Sequence, residues 1–217
     1  MKTGGRRSWA GIPLLVEGDV IGLLYLGRAH PDPFVDEDLH RAKAVAFSAA
    51  AAIRKAQLLE QVHRYAALMV QVVEVDQRVF AGASLEEVAR AILDGAGKVG
   101  SYKGGLLVLQ SPRGPVVAAA TGEGLAATVG RPAPPDLAAT AARRLPASRM
   151  LEVGEALGVV VPAHPMFLVP LNTADGFVGT LALVDPDGET PDDRLMEAYG
   201  SRAAAAYRHA AARLKTS

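Results

Sequence analysis

Apolar residues along this chain keep two rhythms, and the change from one to the other marks its elements. Trp9 to Val16 (WAGIPLLV) and Val20 to Leu26 (VIGLLYL) are short apolar runs on either side of Glu17, Gly18 and Asp19, a pattern that predicts a β-hairpin. Gly27 to Pro33 reads as a loop. From Asp36 to about Phe80 the chain contains neither proline nor glycine and opens on Asp36, Glu37 and Asp38, acidic residues that complement the positive end of a helix. One continuous helix is predicted, on the order of 65 Å long at about 1.5 Å per residue. Its first face carries Leu39, Ala42, Ala46, Ala50 and Ile53. Beyond Ile53 a stripe runs through Leu58, Val62, Tyr65, Met69, Val72 and Val79 in steps of four and three, broken only at Asp76. Such a seam suits a partner helix, most simply its own copy. The alternative is that the stripe packs on its own domain.

Ser84 with Glu87 three residues later predicts a capping box, opening a helix to about Val99 with Leu85, Val88, Ile92 and Ala96 inward. Leu106 to Leu109 and Val116 to Ala120 read as a second hairpin turning at Ser111 to Gly114. Gly122 to Pro135 reads as loop, Asp136 to Leu145 as a short helix ended by Pro146, and Glu152 to Pro165 as irregular with an extended piece at Val159 to Val161. Met166 to Leu171 and Phe177 to Val184 form a third hairpin around Asp175 and Gly176. A last helix starts at Thr190 with Pro191 in its first turn and buries Leu195, Tyr199, Ala203, Ala206 and Ala210.

Composition narrows the function classes. The 217 residues are 50% hydrophobic, enough for one large or two small ordered cores. Lys plus Arg and Asp plus Glu both number 23, so no basic excess points to nucleic acid or an anionic membrane. With no cysteine, disulfides, thiol catalysis, thiolate zinc and a thioether-linked chromophore are excluded. No apolar stretch approaches the roughly 18 residues of a membrane span, and Met1 to Ser8 lacks the apolar core of a signal peptide, so a cytoplasmic location is expected.

Laying the chain on itself at an offset of about 157 residues places Pro13 on Pro170, Leu14 on Leu171, Gly22 on Gly179, Leu24 on Leu181 and Leu26 on Leu183. AAAAIRKA (Ala49 to Ala56) has an echo in AAAAYRHA (Ala203 to Ala210). Residues 8 to 57 therefore correspond to the last third of a unit whose complete version spans about 81 to 214. The first copy lacks its front half.

SWAGIPLLVEGDVIGLLYL, then PFVDEDL and an Ala-rich helix, resembles the closing strands and helix of bacterial GAF domains, and FLVPLNTADGFVGTLALVD resembles them more loosely. The resemblance implies an α+β fold: a central antiparallel sheet flanked by helices, a ligand cavity on one face, and terminal helices that pair in a parallel dimer and relay state to an output domain. The expected organisation is a partial unit over 1–57, a connecting coiled-coil helix over 58–80 and a complete unit over 81–214. Bilin-binding and free methionine sulfoxide reductase subclasses need cysteine, which is absent. The cyclic-nucleotide subclass carries an Asn-Lys pair that this chain lacks, and Phe34 stands one residue rather than three from Asp36-Glu37.

Candidate chemistry is sparse. TGEGLAA (Thr121 to Ala127) superficially fits a dinucleotide fingerprint, but Gly130 and Pro132 stop any following helix and the default reading is a glycine turn. His164, at a strand entrance, could ligate haem or a metal, yet no second ligand stands at ligand spacing, and a hydrogen-bonded edge residue is the default. Arg143, Arg144 and Arg149 lie where the resemblance implies a cavity lid and could grip an anion, against a solvated helix face. Arg143, Arg149, His164 and Thr121 form the candidate ligand set, no cofactor is implied, and Trp9 is expected in the core. No nucleophile, base and orienter constellation is visible, so no catalysis is expected.

The expected function is a sensory or regulatory module of a bacterial signalling protein, homodimeric, binding a small molecule or mediating dimerisation, with no output domain encoded before Ser217. The alternative is a structural dimerisation spacer without a ligand. Met1 to about Pro33, lacking partner strands, is expected to be covered by a second chain or protease sensitive.

Overall fold

The computed structural model describes residues 8–30, 32–100, 102–184 and 193–216. They form two compact units, Met1–His63 and Arg64–Ser217.

In the first unit, β1 (Ser8–Val16) and β2 (Asp19–Arg28) pair antiparallel, and Val16 opposite Asp19 leaves a two-residue turn. Glu17 and Gly18 both have positive φ, 52° and 95°, the left-handed pair whose twist matches the flanking strands. The helix α1 (Asp36–Phe80) starts at the acidic turn. Arg28 ion-pairs with Asp38, whose carboxyl is held below its ordinary value by the Val35 backbone N–H and by Arg28, outweighing partial desolvation. Ala42, Ala46 and Ala50 bury one helical stripe against Ile12 and Leu14. Burial ends at Ala50, and Ile53, expected on this face, is exposed.

The second unit holds a five-stranded antiparallel sheet in the order β4-β3-β7-β6-β5. Its strands are β3 (Gly104–Ser111), β4 (Gly114–Thr121), β5 (Arg143–Leu145), β6 (Met166–Thr173) and β7 (Gly176–Val184). Period-two alternation sends Leu107, Leu109, Phe167, Val169 and Leu171 to one face, under α2 (Leu85–Gly100), α4 (Asp193–Thr216) and Leu68, Val75 and Val79 of α1. Leu106, Val108, Met166 and Leu168 face the opposite way, under α3 (Ala147–Ala156) and the loops before and after it. Both faces being covered, these strands read as unbroken apolar runs. The capping box forms: Ser84 N–H and Oγ donate to Glu87 at 2.8 and 2.9 Å, and Glu87 N–H donates back to Ser84 Oγ at 3.2 Å. Those two bonds from Ser84 hold the Glu87 carboxyl below its ordinary value.

The expected helix at Asp136 to Leu145 is absent. Pro135–Leu137 makes a single 3-10 turn, and Arg143–Leu145 is the edge strand β5, whose three residues bridge to β6. The helix comes after Pro146 instead and runs into the stretch expected to be irregular from Glu152, and Val159 to Val161 forms no strand. Met150, Val153 and Leu157 at steps of three and four were the available signal, masked by Gly154 and Gly158. The expected start of the last helix, Thr190 and Pro191, lies outside the described residues, whereas Leu195, Tyr199, Ala203, Ala206 and Ala210 are buried as the periodicity predicts.

The two hairpins share one register. Pro13 pairs with Leu23 and Leu14 with Gly22; at the offset found in the sequence, Pro170 pairs with Thr180 and Leu171 with Gly179. The bulge after Leu14 recurs after Leu171, so Leu15 opposite Val20 matches Asn172 opposite Phe177. A bulge shared at one position is a feature of the fold rather than of chance pairing.

Tyr199 locks α4 to α2 by donating its hydroxyl to the Ile92 carbonyl at 2.8 Å. Burial, with lesser contributions from Glu74 and Asp94, pushes its phenol far above the ordinary value near 10. The stability it contributes is therefore complete below that ordinary value. It falls as pH rises above it, because the unfolded chain releases the proton first. Tyr199→Phe should cost about 1 kcal/mol at neutral pH through the lost hydrogen bond. Melting curves between pH 8 and 11 should show a shallower alkaline decline in the variant, with a residual slope from Tyr207, whose phenol burial also pushes up.

Candidate functional site

The face of the second unit's sheet that the resemblance assigns to a ligand is filled by the protein itself. Met150, Val153 and Leu157 of α3 and its C-terminal end, with Leu125, Leu137 and Val161 from the loops, close over Leu106, Val108, Val117 and Leu168. Its two buried polar side chains are both engaged locally. Thr128 Oγ1 donates to the Leu125 carbonyl at 2.7 Å, and Thr180 Oγ1 accepts from Ala139 N–H at 3.0 Å. Both of these polar groups are thus satisfied within the protein, and a recess opens beside Leu125 and Met150.

The four candidate ligand residues are not brought together. Arg149 is turned to Asp136, donating Nε to Oδ2 at 3.0 Å, and also ion-pairs with Glu152. Arg143 donates to the Asp136 backbone carbonyl, so this one acidic residue holds both arginines. Arg144 stacks on Phe167 at 4.7 Å and pairs with Asp193 at 3.0 Å. An arginine already facing carboxylates has little left for an anion. His164 lines a recess of about 170 Å³ with Lys103, Glu123, Met150 and Pro162, and Thr121 lines a different one of about 370 Å³ with Glu74, Arg78, Asp94, Lys98 and Lys103. Lys103 borders both, a position the sequence reading passed over because an isolated lysine between a helix and a strand carries no pattern. Among the described residues no cluster of three or more His, Asp and Glu could hold a metal.

The expected dimer seam on α1 divides. Leu58, Val62, Tyr65 and Met69 are exposed, whereas Val79 is buried and Val72 is half-buried in the second unit's own core. Two stripes overlap on this helix, and the unit takes the one through Leu68, Val72, Val75 and Val79. Asp76 is then no break, since it lies off that stripe. Residues 51–67 are all exposed, about 25 Å of helix with no side chain buried.

Residues 1–53 match the GAF domain family. Three crystal structures are similar to the chain. The GAF domain of a protein assigned as a sensor histidine kinase of Pseudomonas syringae pv. tomato aligns with a TM-score of 0.51 at 22% identity, over 73% of this chain and 96% of its own. That share is more than the first unit could supply, so the second unit takes part in the match. The fold is a GAF fold. The GAF domain of an Acinetobacter phosphoenolpyruvate-protein phosphotransferase aligns with a TM-score of 0.52 at 12% identity, covering 66% of this chain and 94% of its own. The phycoerythrobilin-bound GAF domain of a cyanobacterial phytochrome gives 0.52 at 15% identity, covering 67% and 97%. No curated protein matches the chain. Within this GAF fold the sequence match lies on the first unit's hairpin and helix, the elements with the clearest turn and alternation. Among the described residues no helix is long and apolar enough to cross a membrane.

Proposed function

We propose that this chain is a non-enzymatic regulatory GAF module of a cytoplasmic signalling protein, acting as a homodimer whose α1 helices pair through Leu58, Val62, Tyr65 and Met69. One observation carries the reading: residues 51–67 of α1 bury nothing, yet hold Leu58, Val62 and Tyr65 of this apolar stripe. A helix gains little stability in water without packing, so an uncovered stripe of this length calls for a partner. GAF domains with similar folds come from a protein assigned as a sensor kinase and from a phytochrome, which supports placement in signal transduction. The packing of Met150, Val153 and Leu157 over this face favours dimerisation and relay over ligand sensing, two roles between which the sequence did not choose. Native mass spectrometry of gently purified protein should give a dimer at twice the chain mass with nothing added. A monomer at micromolar concentration would defeat the proposal. A dimer with a reproducible extra mass would restore the sensing role, with the His164 recess as the first place to look.

A further inference from the structure

The recess of about 370 Å³ in the second unit lies on the helical side of its sheet, away from the face that the resemblance assigns to a ligand. Its walls come from α1, α2, the turn after α2 and the end of β4. Ala91, Leu93 and Tyr102, all buried, are its apolar lining. The rim is charged, with Glu74 and Arg78 from α1 and Asp94 and Lys98 from α2. Apolar lining with a few placed polar groups is the usual build of a small-molecule site.

Two features of α2 at this recess are not required by the packing of the fold. Asp94 and Lys98 stand four residues apart, the spacing at which an acid and a following lysine pair on a helix. They do not pair here. Lys98 reaches across to Glu74 at 3.6 Å, where Arg78 also lies at 3.0 Å, and Asp94 has no ion-pair or hydrogen-bond partner among the described residues. An anionic and a cationic group are thus left about one helical turn apart on the same rim. The second feature is Gly97, which also lines the recess. Glycine weakens a helix relative to alanine, yet a Cβ at Gly97 would meet nothing closer than the Tyr102 carbonyl oxygen at 3.4 Å. Gly95 differs, since a Cβ there would stand 2.2 Å from Tyr199 Oη. The core requires Gly95, whereas Gly97 serves to leave the recess open.

We propose that this recess binds a small zwitterion, an α-amino acid with an apolar side chain. Its ammonium pairs with Asp94 and its carboxylate with Lys98, while the side chain lies along Ala91, Leu93 and Tyr102. An amino acid carries its two charges on one carbon and its neighbour, which suits partners one helical turn apart. A ligand with a single charge would leave Asp94 or Lys98 unanswered. When Lys98 turns to the ligand, Glu74 keeps Arg78. Charge-assisted hydrogen bonds at both ends of the head group give the site its specificity. Glu74 and Arg78 follow Met69 of the proposed seam on α1, so the helix that carries association also borders the ligand.

The Lys98 and Glu74 side chains are 59% and 39% exposed, so a ligand this small exchanges freely and has to be added rather than retained through purification. The test is titration calorimetry and thermal melting of the full chain with L-leucine and with L-phenylalanine. At about a hundred times its dissociation constant, either should raise the melting temperature by roughly 5–10 °C. Asp94→Asn, at an exposed position, should leave the free chain's melting temperature unchanged and weaken both amino acids by about tenfold or more. Isocaproate and isoamylamine, which are leucine without its ammonium and without its carboxylate, should lose as much. No shift with either amino acid up to its solubility limit would overturn the proposal. So would undiminished affinity in Asp94→Asn, or isocaproate binding as well as leucine. A shift that disappears in His164→Ala would move the ligand to the other recess and overturn it too. Binding is read here without reference to subunit number, so this proposal and the dimer can fail separately.

Discussion

Gly179→Ala is expected to unfold the second unit or leave it barely stable, whereas the matching change Gly22→Ala is expected to be silent. The added methyl at Gly179 would stand 2.2 Å from the Val108 oxygen and 3.0 Å from the Leu109 Cα, both backbone atoms of a central strand. A side chain could rotate aside, but these atoms can move only by opening the β3–β7 ladder where Leu109 faces Gly179. Ordinary overpacking costs about 1–3 kcal/mol, and a clash with backbone on this scale should exceed about 3 kcal/mol. A domain of ordinary stability holds only about 5–15 kcal/mol in total. In the first unit the same methyl meets a leucine side-chain end, and the change should stay within about 0.5 kcal/mol. Thermal melts followed by circular dichroism would compare the two directly. Equal losses would mean that a backbone already lies along β2.

The second large effect concerns association. Val62→Glu should turn the proposed dimer into a monomer without loss of fold, because Val62 is 62% exposed. A buried valine contributes about 1.5–3 kcal/mol, and a twofold seam loses two of them. The dissociation constant should rise by roughly a hundredfold to ten-thousandfold, at about 1.4 kcal/mol per factor of ten. Val75→Glu, on the same helix, should act oppositely, since Val75 is 3% exposed in the second unit's core and its loss should unfold that unit. Sedimentation equilibrium beside a thermal melt separates the outcomes. A Val62→Glu chain that stays dimeric would place the interface elsewhere.

The lid of the second unit shows how folding gives partners to residues that stand alone in the sequence. Arg143 and Arg149 are the residue type that grips anions, and they do stand near one another. Asp136 lies between them, and no spacing rule links it to either arginine, because the chain between passes through a 3-10 turn and an edge strand rather than the expected helix. The expectation failed where the local signals are weakest, in a segment rich in small residues and proline with no sustained period.

What the amino-acid order determined by itself was whatever rests on neighbours in sequence. The long helix from Asp36 to Phe80, the Ser84–Glu87 capping box, the Glu17–Gly18 turn and the three hairpins depend on backbone preference, periodicity and contacts a few residues apart. The offset repeat likewise carried into the shared register and bulge. Only the tertiary structure decided which of two overlapping stripes on α1 is buried, since Val72 and Val79 satisfy either pattern and the choice falls to the surface offered by α2 and α4. It also decided that the sheet's second face is closed by Met150, Val153 and Leu157, and that Trp9 lies open. Burial is set by what lies across the contact, and a residue's own neighbours in sequence carry no record of it.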